Sequence, residues 1–151
     1  HFLFHFQLPK IRLIKKVSYI KCDITQKKKL EKKIVKKYDF VVNLGGYVDH
    51  GNKKKTFNSH YNGSVNLANL FRKRKILSFV QIGSSGEYAN NSSPQKESSK
   101  CIPKSNYALA KYLSTKYMLK LYREYKFPVK VIRETLTRRS SYYFLEFHTT
   151  L

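Results

Sequence analysis

Ser105-Asn106-Tyr107-Ala108-Leu109-Ala110-Lys111 sets a tyrosine and a lysine four residues apart at the start of an apolar-periodic run. Residues four apart share a helix face, so the Tyr107 hydroxyl and the Lys111 ammonium can serve one site. A free tyrosine titrates near pKa ~10 and is a poor base at neutral pH. An ammonium beside it favours the phenolate. A phenol tuned this way can exchange a proton with a substrate hydroxyl. Tyrosine and lysine are both abundant here, so the spacing gains its weight from the segments upstream of it.

Short strand patterns alternate there with helical ones. Residues 17–21, Val-Ser-Tyr-Ile-Lys, read as a strand rich in β-branched and aromatic side chains. Thr25 is expected to cap a helix over 26–37 that turns Leu30 and Ile34 inward. Residues 40–44 form a near-continuous apolar run, which suits a parallel strand covered on both faces, and Gly45-Gly46 ends it. Phe57, Tyr61, Ser64, Ala68 and Phe71 recur at spacings of three and four, predicting one buried face on a helix over 53–75. Residues 77–82 are a second buried strand, stopped by Gly83-Ser84-Ser85-Gly86. Residues 84–104 have no periodic pattern, and a loop of that length in a compact domain is usually functional or disordered. A helix is predicted next over 104–125, with Ala110, Leu113, Tyr117 and Leu121 as its core stripe. Phe127-Pro128 breaks it before a last strand at 129–132.

Strands alternating with helices imply right-handed crossovers and an α/β fold, a parallel sheet with helices on both faces. Ligands of such sheets bind beyond the carboxyl ends of the strands. Asp23, Gly45-Gly46 and Ser84-Ser85 each come directly after a strand, and Lys111 opens the helix after the third. All four features therefore gather on one edge of the sheet.

Composition narrows the partners. The chain has 151 residues, 41% of them hydrophobic, enough for one domain with a real core. The apolar start, residues 1–6, is too short to span a membrane and lacks the charged start and cleavage site of a signal peptide. The expectation is a soluble, cytoplasmic chain. Cys22 and Cys101 form neither a disulfide framework nor a metal pattern, and five scattered histidines show no ligand spacing, so no metal is expected. Lysine and arginine total 31 against 9 aspartate and glutamate, a net charge of +22. Such a balance points to nucleic acid or to an anionic surface. Runs such as Lys27-Lys28-Lys29 and Lys53-Lys54-Lys55, on or beside predicted helices, read instead as solvated faces of a lysine-biased chain.

Taken in order, these segments resemble the NAD-dependent epimerase/dehydratase family of nucleotide-sugar enzymes, the extended short-chain dehydrogenase/reductases, over about residues 17–133. Asp23 in Cys-Asp-Ile resembles the family's acidic residue near the adenine, with Ile24 beside it. Asn43-Leu44-Gly45-Gly46 is similar to the segment that lines the cofactor. Asn62-Gly63-Ser64-Val65-Asn66-Leu67 resembles an Asn-Gly-Thr-x-Asn-Leu run. Residues 82–88 resemble the catalytic Ser/Thr segment, with Ser84 four before Tyr88. Pro94 and Glu97 resemble a Pro-x-x-Glu pair, and Tyr107 and Lys111 the catalytic pair.

The resemblance implies a Rossmann-like domain over 17–133. It also implies NAD or NADP as cofactor, a nucleotide-sugar substrate, and a homodimer as the full-length assembly. In the implied mechanism Tyr107 takes the hydroxyl proton, Ser84 hydrogen-bonds the same oxygen, and Lys111 holds the ribose and supports Tyr107. Asp23, Ile24, Leu44, Gly45, Gly46, His60, Tyr107 and Lys111 would line the cofactor. Ser84, Ser85 and Glu87 would meet the substrate. The dehydratases' acidic pair is replaced by Ser85 and Gly86, with Glu87 one place later, which leans towards epimerase or reductase chemistry. His60 stands where relatives often have a cofactor-touching asparagine; the other reading is a surface histidine.

Two departures qualify this. No glycine-rich turn precedes residue 17, and such a turn is where a pyrophosphate would rest on a helix N-terminus. After Arg133 the family pattern stops, leaving 1–16 without assignment and 134–151 as a tail of unclear structure. Both ends read as truncations, so weak NAD binding is expected of the chain alone. Alongside an epimerase/dehydratase fragment stand two further readings, a basic nucleic-acid-binding module and an inactive truncated fragment. The aromatics weigh against the basic module, because they fall in predicted cores rather than among the lysines.

Any nucleic-acid binding should be non-specific, since lysine charges on helix faces read phosphates and not bases. Affinities for unrelated DNA and RNA sequences should match and fall steeply with salt. Sequence-selective binding that stays flat with salt would overturn this.

Overall fold

A computed structural model describes residues 15–47, 49, 51–88 and 96–133, together with the strand backbones of 2–4, 135–136, 145–146 and 149–150. β1 (Phe2–Phe4), inside the stretch left without assignment, pairs in parallel with β2 (Tyr19–Lys21). The turn out of β2 is built by Asp23. Its Oδ1 accepts from the Thr25 amide at 2.9 Å and the Thr25 hydroxyl at 2.7 Å, and Oδ2 accepts from the Gln26 side chain at 3.1 Å. α1 spans Lys27–Lys33 with Gln26 at its N-cap and no side-chain cap, so Thr25 does not cap it as expected and is held instead in the turn built by Asp23. That helix stops short of residue 37. Just beyond its end the Arg74 guanidinium donates to the carbonyls of Ile34 and Lys36.

The main sheet joins β3 (Phe40–Asn43), β4 (Ser78–Ile82) and β5 (Val129–Ile132), all parallel, with Phe40 opposite Ser78 and Phe79 opposite Val129. A two-residue strand of the tail, Thr149–Thr150, pairs antiparallel with β5, and Thr135–Leu136 pairs with Leu145–Glu146. Parallel pairing of this kind requires crossovers, and the helices supply them.

The predicted helix over 53–75 is a continuous helical run in three parts: α2 (Lys53–Phe57), a π turn (Asn58–Gly63) and α3 (Ser64–Arg72). A π turn inserts an extra residue and so rotates the helix beyond it. The buried positions therefore read Thr56, His60, Gly63, Ser64, Leu67, Ala68, Leu70 and Phe71, while Phe57 and Tyr61, expected inside, are only half-buried. α4 (Asn106–Tyr125) starts where expected. Ser105 caps it by accepting the Ala108 amide at 3.0 Å, and left-handed Lys126 (φ 52°) closes it. Its buried residues are Ala108, Ala110, Lys111, Ser114, Thr115, Met118 and Leu121. Leu113 and Tyr117 flank them half-buried, because the contact line runs 110–114–118–121.

All three long helical stretches send their apolar side chains into one core around Leu30, Leu67, Phe71, Phe79, Met118 and Val131. Alternation along the strands makes this a one-sided arrangement. Val41, Phe79 and Val131 face that core, whereas Phe40, Val42 and Leu44 are 69%, 57% and 70% exposed. The Rossmann-like parallel sheet stands, but the strand expected to be covered on both faces is covered on one among the described residues. A cleft of about 470 Å³ opens between β2 and β3, lined by Ile20, Ile24, Ile34, Val41, Leu67 and Phe71 among others. No helix among the described residues is long and apolar enough to cross a membrane.

Phe79→Ala should lower the unfolding free energy by about 3–5 kcal/mol, the usual loss for emptying a buried aromatic site. Val42→Ala, on the open face, should stay within about 0.5 kcal/mol. Denaturant midpoints of the two variants check this; equal losses would place Val42 in a packed core.

Candidate functional site

The carboxyl ends of β3 and β4 meet the first two turns of α4. Lys111 reaches back from α4 and donates to the Ile82 carbonyl at 2.9 Å, one residue before the Gly83-Ser84 turn. It is buried, and its Nζ lies 5.8 Å from the centre of the Tyr107 ring. Burying an ammonium is costly unless it is hydrogen-bonded, and the strand-end carbonyl supplies that partner. Asn106 ties the same helix start to α2 by donating to the Lys53 carbonyl at 2.6 Å.

His60 packs against Tyr107 from the other side. The rings meet edge to face, centroids 4.8 Å apart at 86°. The His60 Nε2 lies 3.2 Å from the Tyr47 carbonyl, which can only accept, so Nε2 carries the proton there. The π turn is what swings His60 inward, and the surface reading of this residue is overturned: it is 6% exposed. Gly46 leaves the room. A Cβ on it would come within 1.9 Å of the His60 ring. Gly45 and Gly46 are themselves exposed, presenting bare backbone at the end of β3 beside the His60–Tyr107 pair.

Ser84 lies just past the end of β4. Its hydroxyl accepts from the Gly86 amide at 3.2 Å, and the space over Gly86 is shared by Ser84 Oγ and Ala108 Cβ, which sets Ser84 next to the start of α4. Ser85 is half-buried at the head of the 3₁₀ turn Ser85–Tyr88. Glu87 in that turn has no exposed surface, and both of its carboxylate oxygens hold internal partners. It lies beneath the site rather than on it, at odds with the substrate contact expected of it. Asp23 and Ile24 sit at the neighbouring strand end. Ile24 packs over Gly63, where a Cβ would come within 2.7 Å of it, and near Gly45. Asn66 donates to the carbonyls of Ile24 and Thr25, both at 3.1 Å, and fixes this turn to α3. Leu44 is exposed on the open face of the sheet. Pro94 lies outside the described residues, and Glu97 is exposed.

Sequence reasoning missed the polar residues that hold these groups. Asn43 donates to the Gln81 side chain at 2.9 Å and to Ser64 at 3.1 Å, joining β3, β4 and α3 inside the core, and its oxygen accepts the Gly45 amide. Arg133, at the end of β5, donates through Nε to Glu87 at 2.9 Å and through Nη1 to the Tyr88 hydroxyl at 2.7 Å. Burial opposes the charge on Arg133, but the hydrogen bond and charge of Glu87 outweigh it and raise its pKa. Burial likewise raises Tyr88, despite the guanidinium beside it. Polar residues inside strand patterns, Asn43 and Gln81, were the available signal. Among the described residues no group of histidines, cysteines and carboxylates could hold a metal ion.

A sequence profile of the NAD dependent epimerase/dehydratase family matches residues 7–136, reaching further toward the N-terminus than the motifs alone. The chain belongs to this family. Its fold is shared by solved members of low sequence identity. UDP-glucose 4-epimerase from Thermotoga maritima, solved with UDP-glucose, superposes with a TM-score of 0.78 at 20% identity, over 87% of this chain and 45% of that one. UDP-glucuronic acid 4-epimerase from Bacillus cereus, solved with NAD, gives 0.71 at 20% identity, over 87% and 46%. dTDP-glucose 4,6-dehydratase from Bacillus anthracis, also solved with NAD, gives 0.62 at 22% identity, over 75% and 36%. The chain therefore spans less than half the length of each. No curated protein sequence matches it.

Gly46→Ala should force the His60 ring off Tyr107 and cost about 1–3 kcal/mol, as overpacking does. The near-ultraviolet circular dichroism of the tyrosines should change with it. An unchanged spectrum and midpoint would mean that the His60–Tyr107 contact does not depend on Gly46.

Proposed function

We propose that this chain is the dinucleotide-binding part of an enzyme acting on a nucleotide sugar, with hydride transfer at a sugar carbon and proton transfer through Tyr107. The observation that carries the reading is Lys111, buried under Tyr107 and hydrogen-bonded to the end of β4. A charge kept inside at a strand end, four residues from a tyrosine, is placed for tuning an acid–base group rather than for solvation.

The residues fit a nicotinamide dinucleotide. The exposed backbone of Gly45 and Gly46 presents a surface without side chains beside the His60–Tyr107 pair, on which a flat group can lie. Asp23 and Ile24 would hold its adenosine end, Leu44, Gly45 and Gly46 its middle, and His60, Tyr107 and Lys111 its nicotinamide end. Bound there, NAD or NADP supplies the hydride acceptor. The chain's own residues do the rest. Tyr107 exchanges the proton of the sugar hydroxyl at its phenolic oxygen. Lys111 favours the ionised phenol and orients the ribose. Ser84 hydrogen-bonds the reacting oxygen, and Ser85 lies beside it. The family relatives solved with UDP-glucose and with NAD support this choice of ligand classes.

Titration with NAD⁺ monitored by amide and aromatic nuclear magnetic resonance reads binding even when it is weak. Shifts should concentrate at Ile24, Leu44, Gly45, Gly46 and the Tyr107 ring; shifts confined to the lysine runs would sink the reading. Where turnover of a UDP-sugar is measured, Tyr107→Phe should reduce it about 10²–10⁴-fold, the usual share of a general base. Dinucleotide affinity should hold, and turnover that survives the change would remove Tyr107 from proton transfer.

A further inference from the structure

Glu87 is a fully buried ionisable group that the proposed chemistry leaves unused. Its Oε1 accepts from the Ser84 amide at 3.0 Å and from the Thr115 hydroxyl at 3.1 Å, and its Oε2 accepts from Arg133 Nε at 2.9 Å. Arg133 is in turn fixed by the Tyr88 hydroxyl at 2.7 Å and lies over that ring at 4.9 Å. One carboxylate thus joins three elements: the turn after β4, the third turn of α4 and the end of β5. The site is closely built. A Cβ on Gly83 would come within 2.7 Å of Glu87 Oε1 and 3.0 Å of the Arg133 side chain. Gly83 also donates its amide to the Ile132 carbonyl at 2.7 Å.

A buried carboxylate accepts only, and here it meets one amide, one hydroxyl and one guanidinium, all donors. Thr115 lies one turn beyond Lys111, so α4 is tied to the β4 end at two levels: Lys111 to the Ile82 carbonyl, and Thr115 through Glu87 to the Ser84 amide. Two ties one turn apart fix both the height and the rotation of α4 against the strand end.

We propose that Glu87 is a positioning residue: it holds the backbone of Ser84 in register with Tyr107, acting through the Ser84 amide and Thr115. This rests on the reading of Ser84 and Tyr107 as the pair that meets one substrate oxygen, but the coupling is measurable without substrate. It predicts that a change at Thr115, which lies two turns along α4 from Tyr107, is felt at both members of the pair.

The test uses the full 151-residue chain, isotope-labelled, without ligand. In the native protein the Ser84 amide proton should resonate downfield and exchange slowly, as a donor to a carboxylate does. Glu87→Gln should move it upfield and speed its exchange at least tenfold, with the Phe79 and Val131 amides unchanged. Thr115→Val, nearly the same shape, should move the Ser84 amide and the Tyr107 ring resonances together. A purely structural Glu87 would instead lower protection evenly across the chain. That result, or a Thr115→Val spectrum with Ser84 and Tyr107 unmoved, overturns the proposal. If Glu87→Gln does not fold, Thr115→Val decides alone. A Tyr107→Phe enzyme that keeps its turnover would defeat the catalytic reading and leave these couplings to stand or fall separately.

Discussion

The bond from the Lys111 ammonium to the Ile82 carbonyl is the constraint on which the arrangement turns. The Ile82 carbonyl stands at a strand end, where it also accepts from the Gln81 side chain at 3.0 Å, and a helix that returns over the sheet reaches it with a long donor. Lysine provides that reach, and its charge comes with it. Once Nζ is anchored, Tyr107 one turn earlier has a defined height over the strand end, and the Tyr107 ring covers the ammonium. Structural tie and chemical group are the same side chain.

Polar groups inside this fold supply what apolar packing cannot. Asn43, Gln81 and Ser64 form a hydrogen-bonded set between β3, β4 and α3, which runs on to the Gly45 amide and to the carbonyls of Ile82 and His60. Glu87, Thr115 and Arg133 form a second set one strand further on. Apolar contacts fix how close elements lie but tolerate sliding, whereas directed hydrogen bonds specify register. Both sets sit where the strands end, which is where register matters for a site. The Phe79, Met118 and Leu121 core lies below them and sets the spacing.

How much of this the sequence discloses depends on the kind of signal. β3, β4, β5 and α4 were legible because each is a run bounded by glycine, proline or a capping serine, and the order of elements alone implied the parallel sheet. The face of a long helix was less legible. Summing spacings of three and four assumes an unbroken helix, and the π turn at Asn58–Gly63 breaks that assumption just where His60 sits. The stripe on α4 was misplaced for another reason: serine and threonine count as polar in a periodicity, yet Ser114 and Thr115 are inside. Glu87 fell to the same weakness. An acidic residue close to a serine expected to meet the substrate reads as a ligand contact, and only the positions of Arg133 and Thr115, far away in sequence, show that its charge is satisfied internally.

Lysine content illustrates the limit from the opposite side. In a chain carrying a net charge of +22, another lysine adds no information by its type. In space the lysines separate completely. Every other lysine among the described residues is exposed, and Lys111 alone is buried. The exposed ones keep their hydration, so they can be added or lost with little effect on stability and set mainly the long-range field, screened beyond about 10 Å at ordinary salt. Lys111 gives up its hydration for internal partners that include the Ile82 carbonyl and the Tyr107 ring, an exchange that only a fixed geometry can sustain. The Tyr-x-x-x-Lys spacing does not by itself select that lysine, because Tyr112–Lys116 and Tyr122–Lys126 on the same helix share it. The capping serine just before the pair and the strand-end segments upstream do, since order along the chain carries geometry that composition does not.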